Sequence, residues 1–194
     1  MSIKAYSIRS IKCSSKVPFN IDLEFVRKRC EELKADIHKT YPNFVVFSVK
    51  EDKEDQLTNF NENIKYTLFK YGEELESMHC NICGITDPQH IEVCVKYLAR
   101  LLKLKPELLS HKVDNYCATT TLPTKINKLR FIQINPAAFH QFERFPAIFL
   151  RSSNVVILIY GSGSIVFTGA KDTEQIDKAF KYLESCYAKY MIMM

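Results

Sequence analysis

Nowhere in the 194 residues does an apolar run approach the length of a membrane span. The amino-terminal MSIKAYSIRS is polar where a secretory signal would place its hydrophobic stretch. A soluble, intracellular protein is expected. Charge of one sign is also in short supply. The formal excess of +5 is mild, compatible with nucleic acid and with many enzymes. Low-complexity tails and long linkers are missing, so the chain reads as one domain or two small halves, and its 46% apolar residues suffice for an ordinary core. The seven cysteines are odd in number and scattered, which fits the reduced thiols of cytosol or nucleus rather than a disulfide framework. Cys80 and Cys83 have C-x-x-C spacing beside His79, but no second pair completes a tetrahedral zinc set. On a strand those two positions would also point to opposite faces. His38, His79, His90, His111 and His140 form no ligand or triad pattern, and no carboxylate constellation or activated nucleophile is visible, so neither metal nor catalysis is expected.

What is present begins with LIYGSGSIVFTGAK, from Leu158 to Lys171, which reads as two strands joined by a turn whose Gly161, Ser162 and Gly163 can supply positive φ. Val156, Leu158 and Tyr160 share one face of the first strand, and Val155, Ile157 and Ile159 the other. Beyond the turn, Val166 and Thr168 oppose Ile165 and Phe167. A half-solvated sheet should not be apolar on both faces. Either protein covers both, or one face meets a partner.

Helix-period segments alternate with strand-rich ones, and the order repeats. From a cap at Asn20, the stripe Leu23, Val26, Cys30 and Leu33 predicts a helix, followed by the strand-like NFVVFSV, YTLF and MHCNIC. Asp87 and Pro88 open a second helix with Ile91, Val95, Leu98 and Leu102 inside and Lys96, Arg100, Lys103 and Lys105 outside. The second half offers the strands KVDNYCATT and FPAIFLR, a short helix between Leu122 and Phe139, the hairpin, and a helix from Asp172 with Ile176, Phe180, Leu183 and Tyr187 inward. FVVFSVK at Phe44 aligns with FPAIFLR at Phe145, an offset of 101 (145 − 44), and Gly84 aligns with Gly169, an offset of 85 (169 − 84). The difference of 16 is an insertion in the first copy, between Lys50 and Gly84 and placed near 51–66, where KEDKEDQLTNFNEN is charged and Asn-rich. The expected division is therefore 1–107 and 108–194, two repeats forming one structural domain.

The segment from Phe145 to Tyr190, with its FP step, apolar strand, turn ending at Gly163, TGAK at 168–171 and closing helix, resembles the second repeat of the TATA-box-binding protein core. KVDNYCATT resembles that repeat's first strand and places Asn115 at the family's central asparagine. In the first half, IRSIKCSSKVPFNIDL and KYLARLLKL resemble the first strand and helix and the long basic helix, more thinly. The resemblance implies an α+β saddle: two pseudo-symmetric repeats, one curved antiparallel sheet, helices on the convex face and a bare concave face. A continuous apolar face with no helix left to cover it is an interaction surface on physical grounds alone. That it sits on the DNA minor groove and bends it is the family's mechanism, carried over by the resemblance.

Carried over residue by residue, Asn115 would bond minor-groove acceptors, Leu158, Val166 and Thr168 would lie on base edges, and Phe145 with Tyr160 would be the wedge that unstacks a step. Tyr160 replaces a phenylalanine, and Cys117 a valine beside Asn115. The first repeat departs: Ser10 stands for the other asparagine and Lys12 for a valine, while the strand parity matching Val166 and Thr168 selects Asn81 and Cys83, with His79 two residues earlier. Phe44 is that half's candidate wedge, and Phe69 a poorer one because the insertion obscures its register. General transcription factors would meet the basic helix at Lys96, Arg100 and Lys103 and the loop at Glu143 and Arg144, where an arginine replaces the family's leucine. The leading expectation is a nuclear, promoter-binding, DNA-bending initiation factor with altered sequence preference. Half a family signature on a short chain suits a parasite or a large DNA virus, whose factor would work in the host nucleus or a viral factory. A protein-interaction module or regulator that keeps the fold but no longer binds TATA DNA is the alternative, and an enzyme, after the related domains that accompany nucleic-acid-processing enzymes, a distant third.

Overall fold

Alternation along each strand, and a helix layer on one side, organise the structure. The structure, a computed structural model, describes residues 3–18, 21–49, 57, 63–70, 77–141 and 143–193. The chain folds as two units, Ser10–Asp114 and a second made of Met1–Arg9 with Asn115–Met194. Along the chain come β1 (Ser7–Val17), α1 (Leu23–Glu32), β2 (Asp36–Tyr41), β3 (Phe44–Ser48), β4 (Lys65–Lys70), β5 (Met78–Ile85) and α2 (His90–Leu102). The series then repeats as β6 (Ser110–Thr121), α3 (Lys128–Ile134), β7 (Ala138–His140), β8 (Ala147–Ser152), β9 (Val155–Tyr160), β10 (Ser164–Ala170) and α4 (Thr173–Ile192). In the first unit the strand order is β2-β3-β4-β5-β1, and in the second β7-β8-β9-β10-β6. Neighbours are antiparallel and the topology is the same in both.

Local sequence explains the helices. The expected cap Asn20 lies outside the described residues; Asp22 caps α1, its carboxylate accepting from the Glu24 amide at 3.1 Å. Leu23, Val26 and Cys30 are buried as the stripe requires, while Leu33 has become the C-cap. The second helix starts at His90, slightly later than expected, because Asp87 is spent on a local turn that accepts from the Gln89 amide at 2.9 Å. Ile91, Val95, Leu98 and Leu102 are buried there, and so are Cys94, Tyr97, Ala99 and Leu101, because α2 packs against both α1 and β5. Asp172 caps α4 by accepting from the Gln175 amide at 2.8 Å, while the Gln175 side chain accepts from the Lys171 amide at 3.1 Å, a reciprocal cap. Ile176, Leu183 and Tyr187 face inward with Ala179, Cys186 and Tyr190. Phe180 is only half-buried, between Tyr6 and Phe167.

In the second unit the hairpin's two apolar faces separate. Val155, Ile157, Ile159, Ile165 and Phe167 are buried on the side where α4 packs on β8, β9 and β10. Each such burial stabilises by about 1.5–3 kcal/mol. Val156, Leu158, Tyr160, Val166 and Thr168 occupy the other side and are half-exposed. In the first unit Phe47 stacks on Tyr66 at 5.1 Å under α2, and the Tyr66 hydroxyl donates to the Cys94 carbonyl at 3.1 Å. Cys80 is buried and Cys83 half-exposed, the divergence that strand alternation imposes on that pair.

Three features differ from the sequence reading. In the hairpin turn only Gly163 has positive φ (+92°), and its amide donates to the Tyr160 carbonyl at 2.9 Å; one left-handed residue closes this turn, so Gly161 is not needed for it. The strands β2 and β7 were not anticipated: DIHKTY is almost wholly exposed and AFH is too short for periodicity, so pairing with β3 and β8 makes them strands. The first unit's extra length falls in two connections, Ser48 to Lys65 against Ser152 to Val155, and Lys70 to Met78 against Tyr160 to Ser164; most of KEDKEDQLTNFNEN lies outside the described residues.

Gly84 and Gly169 close β5 and β10 in the same left-handed conformation, φ +99° and +93°. A Cβ on Gly169 would sit 2.7 Å from the Asn154 carbonyl oxygen, and one on Gly84 would strike that of Asn63. Gly169→Ala is therefore expected to destabilise by about 1–3 kcal/mol. Gly161→Ala, whose Cβ meets the flexible end of Lys128 at 3.3 Å and the Ile126 carbonyl oxygen at an ordinary 3.7 Å, should cost a small fraction of that in the same denaturant titration.

Candidate nucleic-acid interface

The half-exposed face of the second unit is built by register. Thr119 pairs with Val166, Val166 with Leu158 and Leu158 with Phe149, making one row across β6, β10, β9 and β8. Thr168 pairs with Val156, and Tyr160 with Ala147. Asn115 lies on the same strand face four residues before Thr119, beside the end of β10, with its orientation determined. Its Oδ1 accepts from the Gly169 amide at 2.6 Å and its Nδ2 donates to Thr168 Oγ1 at 3.2 Å. The carboxamide oxygen is thus used within the protein, one N–H is committed to Thr168, and the half-exposed side chain keeps a second N–H donor. Cys117 is half-exposed on the same strand parity. Phe145, just before β8, reaches Tyr160 across the diagonal with ring centroids 6.5 Å apart.

The first unit builds the same face from different chemistry. Asn81 pairs with Thr67 and Ser14, Cys83 with Lys65 and Lys12, and His79 with Phe69 and Lys16. Matching the glycines makes Asn81 equivalent to Val166, Thr67 to Leu158, Lys65 to Val156 and Phe69 to Tyr160. Ser10 and Lys12 are half-buried on β1. Phe44 and Phe69 are directly opposed, ring centroids 5.6 Å apart. Positions that are Val166, Leu158 and Val156 in one unit are thus Asn81, Thr67 and Lys65 in the other.

The other named residues lie away from these faces. Lys96 and Lys103 are exposed on α2 and at its end, with Arg100 half-buried and its guanidinium 5.1 Å from the Tyr97 ring centre. Glu143 and Arg144 are exposed in the turn before β8.

Sequence reasoning missed several residues. Lys65 and Thr67 were hidden by the unknown register of β4. Arg9 donates from Nε to Thr119 Oγ1 at 2.9 Å, which brings a guanidinium to the second unit's open face. Tyr41 and Phe139 lie on the unanticipated edge strands. Aromatic recurrence beside each strand pair, KTYPNF and AFHQFERF, was the available signal.

Residues 110–189 match the family model described as transcription factor TFIID (or TATA-binding protein, TBP). The chain is 36% identical over 74 residues to the TATA-box-binding protein of Thermococcus celer, spanning 37% of this chain and 39% of that protein. It is 39% identical over 72 residues to TATA-box-binding protein-like 1 of Entamoeba histolytica, 33% of that protein's length. A longer match, 26% over 184 residues, covers 90% of this chain and 88% of the TATA-box-binding protein of Methanocaldococcus jannaschii. The solved structure titled Methanococcus jannaschii TBP superposes with a TM-score of 0.63 at 22% identity, over 94% of this chain and 96% of that one. The chain has that fold, α+β with antiparallel strands, and its residues 110–189 carry the sequence pattern of the TATA-binding protein family. Among the described residues no helix is long and apolar enough to cross a membrane.

Burial pushes the thiols of Cys83 and Cys117 up from the ordinary range, with Lys12 partly opposing the shift at Cys83. Cys13 rises to about 11 and Cys30 to about 12 for the same reason. A maleimide at neutral pH should modify Cys83 and Cys117 slowly in the folded protein, faster as pH rises because thiolate is the nucleophile. Cys13, Cys30, Cys80, Cys94 and Cys186, all buried, should react only after unfolding, as peptide mass spectrometry would read directly.

Proposed function

We propose that this protein is a promoter-binding transcription factor that lays its half-exposed strand faces on the minor groove of duplex DNA, unstacks steps with aromatic wedges and bends the duplex. One observation carries the reading: the row Thr119, Val166, Leu158 and Phe149 is half-exposed and largely apolar, and on the same strand face lies a half-exposed Asn115 whose amide oxygen is already bonded to Gly169, so that what it has left to offer is a donor. The floor of an A·T minor groove presents acceptors and no donors, so an apolar surface edged by a donor complements it. Cys117 contacts the groove beside Asn115 with less bulk than a valine, and Phe145 with Tyr160 form the wedge in this unit, as Phe44 with Phe69 do in the other. Unstacking costs a few kcal/mol, offset by contact with the bent, widened groove.

The first unit's face reads differently. A G·C pair adds the guanine amino donor. Against Leu158, Val166 and Thr168 that donor would be crowded and unpaired, at a cost of roughly 1–3 kcal/mol per pair. Asn81 can accept from it through its side-chain oxygen, and Lys12 can donate to the pyrimidine O2, with Ser10, Cys83 and His79 completing a polar surface. One half-site is then strictly A·T while the other tolerates G·C, which defines the protein's orientation on DNA. Such a factor acts in the nucleus, or wherever the promoter DNA is held, and its surface helix at Lys96, Arg100 and Lys103 and loop at Glu143 and Arg144 are the places where general transcription factors dock.

Selection from random duplexes should return an asymmetric site, with affinity falling as salt rises because phosphate contacts release counterions. Lys12→Val with Asn81→Val should shift the tolerant half toward A·T. No saturable binding at low salt would leave a protein-interaction module ahead, and a selected site of uniform A·T preference would show that the polar face reads no bases. Asn115→Asp keeps the acceptor for the Gly169 amide but replaces the remaining donor with a charge repelled by the groove. It should preserve the thermal midpoint while cutting duplex affinity at least tenfold, since leaving a buried groove acceptor unpaired against a charge costs about 1.5 kcal/mol or more.

A further inference from the structure

Each unit carries an aromatic ring on its edge strand that the minor-groove reading does not use. Tyr41, at the end of β2, is directly opposite Phe44 and stacks on it, centroids 4.3 Å apart and planes 21° from parallel. Phe44 in turn meets Phe69 at 5.6 Å. In the other unit Phe139, on β7, is opposite Phe149 and stacks on it at 5.1 Å and 9°; Phe149 meets Phe145 at 5.2 Å, and Phe145 meets Tyr160. These two edge rings remain 45% and 41% exposed and are the most exposed aromatics among the described residues. They are poor core anchors, since their strands bury little else: β2 is exposed at nearly every position and β7 has three residues. An edge-strand ring joined to the wedge aromatics recurs in both units from unlike sequences, directly on Phe44 in one and through Phe149 in the other, so an accident of one loop does not account for it.

We propose that each wedge is a stack of rings, with Tyr41 and Phe139 as positioning residues that brace the inserting rings before DNA arrives. A lone half-exposed phenylalanine swings about its side-chain torsions and must be ordered as it enters a base step. A ring stacked behind it removes that freedom in advance, which lowers the ordering cost of binding. Tyr41 acts directly on Phe44. Phe139 acts through Phe149 on Phe145. The brace rests on the minor-groove reading, and it separates bending from folding: the edge rings contribute little buried area but hold the geometry that unstacks the step.

The test uses the full chain with para-fluorophenylalanine in place of phenylalanine, and a duplex bearing an alternating A·T tract with donor and acceptor dyes at its ends. Without DNA, Tyr41→Ala should move the fluorine resonances of Phe44 and Phe69, and Phe139→Leu those of Phe149 and Phe145, as ring currents are lost. With the duplex, Tyr41→Ala and Phe139→Ala should each reduce the bend and weaken binding about 3- to 10-fold, the range an aromatic pair supplies. Tyr41→Phe and Phe139→Tyr should restore both, with the thermal midpoint little changed throughout. Phe145→Ala with Tyr160→Ala marks the bend of a lost wedge. Unmoved fluorine signals would show that the stack is not formed, and an unchanged bend in the Ala variants would show that it does not brace; either overturns the proposal. If the wild-type protein bends no duplex while the fluorine signals move as expected, the DNA reading fails with the stack intact, and the bracing role falls with it.

Discussion

One-sided helix cover is the constraint on which the rest depends. Each unit has a five-stranded antiparallel arrangement and places its helices against only one face of it. Alternation then sorts every strand into a row that must be apolar and a row whose chemistry is free. Ile157, Ile159, Ile165 and Phe167 belong to the first kind, as do Phe47, Tyr66, Leu68, Cys80 and Ile82 in the other unit. The second kind is where the two units part. Val156, Leu158 and Val166 stay apolar, while Lys65, Thr67 and Asn81 do not. These positions are half-exposed or exposed, so their chemistry is free to differ between the units.

The positions that could not diverge are those where backbone geometry leaves no room. Gly84 and Gly169 take the same left-handed conformation at the same place, each against a carbonyl of the preceding hairpin. Gly169 has a second duty, because its amide is what fixes the Asn115 side chain. In the first unit Gly84 takes the same conformation, while the β1 position matched to Asn115 is Ser10.

Much of the architecture was legible in sequence because it rests on periodicity and caps. The alternation in the hairpin, the stripes of α1, α2 and α4, the cap at Asp172 and the matched glycines are all local signals. The match across 110–189 agrees with the half whose resemblance was dense. The edge strands were not legible, since β2 has no buried row and β7 is too short to show one. Nor was the register of β4, because the connection before it offers no periodic landmark; only its ladder with β5 places Phe69 beside His79 and Phe44.

By itself, then, the sequence determined which residues face the helices and which do not, since a period-two or 3.6-residue pattern is written in the residues themselves. It also determined that one exposed row is apolar and its counterpart polar. Tertiary structure alone decided which side chains from distant strands meet: that Asn115 surrenders its oxygen to Gly169, that Arg9 reaches Thr119, and that Tyr41 and Phe139 lie on the rings beside them. Such meetings depend on strand register, and register is settled by the summed pairing of whole strands and the turns between them, a quantity no single residue carries.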